Sequence, residues 1–195
     1  MKQTFILLVL FLMLPLSGYC QHALGLKAGG NLATVKRDNS FGNDDKHRIG
    51  FHMGFLAEKD ISQNTYIRSE LFHSRKGSKI YNSSSGITML NDADYLNLPL
   101  LVGYRLSPAF SFYFGPELGY ALGQSKDDAN NYRDFDFGLD GGILYNLTSA
   151  FALDLRYTYG LVKMKNKQGN IDPAPIYDGQ NRVAQLGVNY YFKQR

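Results

Sequence analysis

The sequence predicts an all-β fold, an eight-stranded antiparallel up-and-down transmembrane β-barrel, and three observations carry that expectation. Apolar residues recur at every second position in eight segments, and the connections between the segments alternate between long and short. The polar face of the segments is built from glycine and isolated charges rather than from the crowded Lys and Glu of a wetted surface. Composition agrees: 195 residues, 44% hydrophobic and 19% charged, with 20 Gly, 14 Tyr, 13 Phe and a single Cys. An ordinary apolar fraction excludes a disordered or collagenous chain, and one cysteine excludes a disulfide scaffold. Tyr and Phe fit a pleated surface, whereas Gly is poor in helices.

The amino terminus reads as an export signal. Lys2 precedes the apolar run Phe5 to Leu14, which is followed by Pro15 and the small residues Ser17 and Gly18. That run is too short for a spanning helix, which needs about 20 residues. Residues 1–20 are therefore expected to be a cleaved signal peptide, leaving Gln21 first and residues 21–195 as the barrel domain. Acylation at Cys20 is disfavoured by the bulky Tyr19 before it. The formal charge of +4 is scattered and implies no nucleic-acid partner.

The first strand sets Leu24, Leu26, Ala28 and Leu32 against Gly25, Lys27, Gly29 and Asn31. The same period follows at 48–60, 64–76, 93–106, 110–123, 134–147, 151–163 and 182–192. It is cleanest at Phe151, Leu153, Leu155, Tyr157 and Tyr159 against Asp154, Arg156, Thr158 and Gly160. Leu96, Leu98, Leu100, Val102 and Tyr104 likewise stand against Asn97, Pro99, Leu101, Gly103 and Arg105. Two-faced strands must set their apolar side on something apolar. The connections at 61–63, 107–109 and 148–150 are short, and those at 35–47, 77–92, 124–133 and 164–181 are long. Short turns at one rim and long loops at the other are the signature of a membrane barrel.

Alternation alone also allows a soluble barrel with a greasy interior. The small residues Gly25, Gly29, Gly115, Gly119, Gly138, Gly142 and Gly187 on the polar face decide for a polar interior, because an eight-stranded lumen is just wide enough for side chains to fill it. That lumen would hold Lys27, Arg68, Arg105 and Arg156 against Glu70, Glu117, Asp136, Asp140 and Asp154. Charges away from water are tolerated when paired, so an interlocked ionic plug is expected rather than an open channel. Tyr95, Tyr104, Phe110, Phe112, Tyr145, Phe151, Tyr157, Tyr190, Tyr191 and Phe192 lie near strand ends, where interfacial aromatic girdles are found.

Five segments carry a family resemblance: Gly25 to Leu32, Glu70 to Gly77, Tyr95 to Leu101 with its Pro99, Gly115 to Tyr120 and Leu155 to Leu161. They resemble the PorT-type outer-membrane β-barrel domain family of Bacteroidota over nearly the whole mature chain. The resemblance implies a small barrel in the cell outer membrane, in contact with outer-membrane lipid and seated by the barrel-insertion machinery. The namesake is linked to protein secretion, a role that a shared fold does not transfer. Lys193, Gln194 and Arg195 follow Phe192, where such barrels usually end on an aromatic residue.

No GxSxG elbow, HExxH or paired CxxC occurs, so catalysis, a cofactor and a metal site are not expected. His22, His47, His52 and His73 are dispersed, and the run Asp134 to Asp140 has the apolar spacing of a strand rather than of a calcium loop. Ser69 and His73 share one face of a strand, the arrangement a lipid-modifying barrel would need, but four residues of strand separate them by about 13 Å. The expected work is structural or interactive, with four outward loops, including the tips at 39–48 and 163–170, offered to an envelope protein or an extracellular ligand. The alternative is transport, as a narrow pore or a secretion accessory.

Overall fold

The computed structural model describes residues 22–37, 43–46, 48–82, 87–124, 135–162 and 179–192. The proposed signal at 1–20 and the loop tip at 163–170 lie outside them. Among the described residues there are nine strands: β1 (His22–Arg37), β2 (Asn43–Lys46), β3 (Arg48–Asp60), β4 (Thr65–Asn82), β5 (Ile87–Arg105), β6 (Phe110–Gln124), β7 (Phe135–Asn146), β8 (Phe151–Gly160) and β9 (Gly179–Tyr191). Eight of them form a closed antiparallel ring in the order β1-β3-β4-β5-β6-β7-β8-β9, sealed by pairing of β1 with β9 and of β4 with β5. Closure leaves the wall without an unpaired edge.

The alternation read from the sequence becomes an inside and an outside. Along β8 the burial pattern alternates without a break from Phe151 to Gly160, with the apolar members outward. The outward wall carries Leu26, Phe55, Val102, Phe114, Ile143, Leu155 and Leu186, all at least 39% exposed. This apolar surface runs round the whole cylinder, far beyond the patch a water-soluble monomer tolerates. Aromatic pairs mark the short-turn rim: Phe110 with Tyr145 at 4.7 Å between centroids, Phe151 with Tyr190 at 5.1 Å, and Tyr104 with Phe112 at 5.7 Å. At the opposite rim Tyr120 meets Phe135 edge to face at 5.1 Å. Tyr95 and Tyr191 do not belong to these girdles. They have inward parity and are 3% and 2% exposed, because the lumen needs large side chains with a polar tip where two strands leave space.

The sequence also understates the strands at the long-loop rim. The expected loop at 77–92 is mostly strand, since β4 and β5 pair from Thr65↔Tyr104 out to Asn82↔Ile87. The segment Asn43–Lys46, inside the expected loop at 35–47, adds to the outer end of β4 through Asn43↔Asn82 to Lys46↔Lys79. Above the ring, then, β2, β4 and β5 form a projecting ribbon.

Candidate functional site: the charged lumen

The lumen is built from inward positions, and the register explains how charge fits there. Lys27 lies opposite Gly54, Asp140 opposite Gly115, Asp154 opposite Gly187, Arg156 opposite Gly142, Glu117 opposite Gly138 and Asp136 opposite Gly119. The space beside such glycines goes to neighbouring side chains, Phe72 at Gly54 and His52 at Gly187. A Cβ on Gly142 would run into the Tyr113 ring and hydroxyl, and one on Gly103 into the Tyr66 ring. Gly103→Val is accordingly expected to displace Tyr66 and destabilise the fold by about 1–3 kcal/mol, read by urea unfolding in detergent micelles. A cost near zero would show that the lumen is loosely filled at this level.

Three layers stack along the axis. Next to the short-turn rim, Tyr66, Leu101, Tyr113 and Leu144 form one buried apolar cluster, and Leu56, Ala152 and Tyr191 form another. Above them lies an ionic layer centred on Glu70. Its carboxylate accepts from Lys27 Nζ at 2.7 Å, from Arg156 Nη2 at 2.6 Å and from Arg68 Nε. Arg68 also donates through Nη2 to Asp154 Oδ2 at 3.0 Å and faces Glu58 at 3.6 Å. Asp154 accepts further bonds from the Tyr113 hydroxyl and from Asn189 Nδ2. Arg156 reaches Asp140 at 3.2 Å through Nη1, and Asp140 also accepts from the Thr158 hydroxyl at 2.7 Å. Cations rest on aromatic faces as well, with Lys27 Nζ 4.3 Å from the Phe72 centroid and the Arg156 guanidinium 5.1 Å from that of Tyr113. The third layer joins His52 Nδ1 to Asn31 Oδ1 at 2.6 Å, while Asn31 Nδ2 donates to Ser74 Oγ at 2.8 Å.

Six of the nine charges singled out in the sequence, Lys27, Arg68, Glu70, Asp140, Asp154 and Arg156, meet in the ionic layer. Glu117 is buried on the inner face of β6. Arg105 and Asp136 stand apart. Arg105 Nη2 pairs with Asp60 at 2.6 Å near the short-turn rim and lies over Tyr66, and Asp136 accepts from Asn181 at 2.8 Å near the other rim. Members outside that set include Tyr113 and Asn189, which both donate to Asp154, and Glu58, which accepts from the Tyr191 hydroxyl at 2.8 Å. Parity with His52 would have placed Glu58 inside, but the run Leu56, Ala57, Glu58, Lys59, Asp60 has no clean alternation.

The register also locates the pair that a lipid-modifying site would use. Ser69 sits opposite Ala57 and Leu100, whereas His73 sits opposite Met53 and Leu96. His73 Nε2 lies 3.2 Å from Asp94 Oδ1, which Arg75 Nε also reaches at 3.0 Å. The strand geometry thus leaves Ser69 away from the His–Asp pair. His47 lies outside the described residues, and no group of three or more His, Cys, Asp or Glu among the described residues is placed to hold a metal ion.

Comparison with known proteins adds to this geometry. The family model described as outer membrane protein beta-barrel domain matches residues 21–166. Comparison with curated proteins found no match. Among solved structures, the chain is similar to Neisserial surface protein A, at 16% identity over 88% of this chain and 99% of that one, with a TM-score of 0.59. It is similar to Ail, the attachment invasion locus protein of Yersinia pestis, in complex with the heparin analogue sucrose octasulfate, at 18% identity over 88% and 99% with a TM-score of 0.53. It is also similar to the outer membrane protein OprG from Pseudomonas aeruginosa, at 15% identity over 90% and 98% with a TM-score of 0.51. At such identities the likeness is one of fold.

Proposed function

The chain belongs to the outer membrane protein β-barrel domain family, and from that premise we propose a non-catalytic envelope protein that works by interaction at its outward end rather than by passage through its lumen. The barrel is seated in the cell outer membrane, which puts its short turns in the periplasm and its long connections outside the cell. The observation that carries the proposal is the density of the ionic layer. Arg68, Glu70 and Asp140 are 0% exposed in the middle of the cylinder, which supports a lumen filled at that level. Planar-bilayer recording of the purified protein tests this. A filled lumen gives no stable single-channel steps, and regular small steps would favour the narrow-pore or secretion-accessory reading.

The ribbon at the outer end supplies the surface. Pairing of β5 with β6 begins at Ala93↔Gln124, whereas β5 continues on β4 as far as Ile87. Among the described residues, the stretch from Ile87 to Asn91 therefore has a strand on one side only, and an open strand edge is a template for another extended chain. An envelope protein or an extracellular polypeptide ligand is the partner class this edge suits. Within the family we assign the chain to the PorT type of Bacteroidota, on the strength of the five segments quoted above. We further propose that residues 1–20 direct export and are removed. The family match starting at residue 21 supports this, and the amino-terminal mass of the mature protein tests it.

A further inference from the structure

The periplasmic rim carries a repeated device independent of the lumen and of the outer ribbon. At the end of β3, β5 and β7 the next outward residue is an exposed apolar one: Ile61 at 59%, Leu106 at 68% and Leu147 at 52%. Phe192, at 58%, takes the equivalent place after β9. A hydroxyl residue follows each of the first three, and the three turns have one hydrogen-bond plan. The amides of Ile61 and Ser62 both donate to Thr65 O, those of Leu106 and Ser107 to Phe110 O, and those of Leu147 and Thr148 to Phe151 O. The hydroxyl then accepts the return amide: Ser62 from Thr65 at 3.1 Å, Ser107 from Phe110 at 3.1 Å and Thr148 from Phe151 at 3.0 Å. Phe192 is tied in by its own amide, which donates to Leu24 O at 2.9 Å.

A turn facing water has no need to saturate its backbone internally, because water does so. A turn drawn out of water must. These three turns bond the amides at both of their ends internally, and none of Ile61 to Asn64, Leu106 to Ala109 or Leu147 to Ala150 is charged. The charged neighbours Asp60 and Arg105 point inward and pair with each other at 2.6 Å. Lys59, the outward residue before Ile61, has a stem long enough to carry its ammonium to the headgroup level. The four apolar side chains continue the outward stripe one step beyond the rim aromatics Tyr104, Phe110, Phe151 and Tyr190. They are continuous with the surface that already faces lipid.

We propose that Ile61, Leu106, Leu147 and Phe192 form an anchoring collar embedded in the inner-leaflet phospholipid, so that the periplasmic turns lie within the membrane interface and fix the depth of the barrel. The occupant of this surface is phospholipid, not a periplasmic protein or a second copy of the chain.

The sequence has no tryptophan, so a single introduced one is a clean depth probe. Ile61→Trp, Leu106→Trp, Leu147→Trp and Phe192→Trp would each be folded into phospholipid vesicles, with heat-modifiable gel mobility confirming the fold, and Leu155→Trp would serve as the mid-wall reference. The collar predicts blue-shifted emission at all four sites and quenching of about twofold by phospholipid brominated near the glycerol, exceeding that by phospholipid brominated near the chain end. Leu155→Trp should show the reverse order. Quenching by aqueous iodide without quenching by brominated lipid would overturn the proposal and return the turns to water. Emission shielded from both quenchers would also overturn it, in favour of a protein contact. A site whose tryptophan variant fails to fold is tested by a nitroxide on cysteine at the same position, with the native Cys20 absent from the mature chain, reading oxygen against aqueous-reagent accessibility.

Discussion

Arg156→Leu is expected to destabilise the barrel by about 3–5 kcal/mol, the cost of removing one partner from a buried ionic group. Arg156 donates to Glu70 and Asp140, approaches Asp154 at 3.8 Å and donates through Nε to the Tyr113 hydroxyl at 3.0 Å. Leucine leaves the carboxylates of Glu70, Asp140 and Asp154 buried while subtracting a full positive charge. Arg156→Lys keeps the charge but loses the planar fork that serves Glu70 and Asp140 at once, so an intermediate cost is expected. Chemical unfolding in detergent micelles, followed by far-ultraviolet circular dichroism, measures both. A double-mutant cycle with Asp140→Asn should return a coupling of about 0.5–3 kcal/mol, since the two side chains bond directly. An Arg156→Leu cost below about 1 kcal/mol would mean that solvent enters the layer and that the lumen is not filled.

Legibility in the sequence followed the solvent on each face. Where a strand has lipid on one side and a packed lumen on the other, as from Phe151 to Tyr159, alternation is strict and the register can be read residue by residue. Outside such stretches that constraint is absent from the sequence. Gly77 to Asn82 and Ile87 to Asp92 pair along their length, yet they read as a loop because no apolar periodicity is imposed on them. The candidate charges were legible for the same reason that the lumen glycines were, as polar positions of the correct parity. Their grouping was not legible, because it depends on which strand brings a glycine opposite each charge: Gly142 for Arg156, Gly54 for Lys27, Gly187 for Asp154. Tyr191 shows the limit most clearly. In the run Asn189, Tyr190, Tyr191, Phe192, composition alone places every aromatic at an interface, whereas parity sends Tyr191 inward to bond Glu58.

The outward wall makes the second large prediction, because Leu155 is the immediate neighbour of Arg156 and faces the other way. Leu155 is 55% exposed and lies four residues along β8 from Phe151, which pairs with Tyr190 at the periplasmic rim. Four residues of tilted strand climb about 10 Å from that rim, close to the middle of an apolar band about 25 Å tall. Leu155→Arg is therefore expected to cost about 2–4 kcal/mol in reversible unfolding from phospholipid vesicles, and Leu147→Arg at the rim only about 0–1 kcal/mol. The gradient is the informative quantity. In a cylinder surrounded by water both substitutions would be nearly neutral, and in a destabilised lumen both costs would follow the nearest inward side chain rather than depth. A steep fall from Leu155 to Leu147 requires hydrocarbon against the outer face of β8, while Arg156, one residue along the same strand, is stabilised in the opposite direction by carboxylates. One strand thus places arginine where it is needed and leucine where arginine would be expelled, and exchanging the two residues should add both penalties and leave the chain unable to reach the folded, heat-modifiable form.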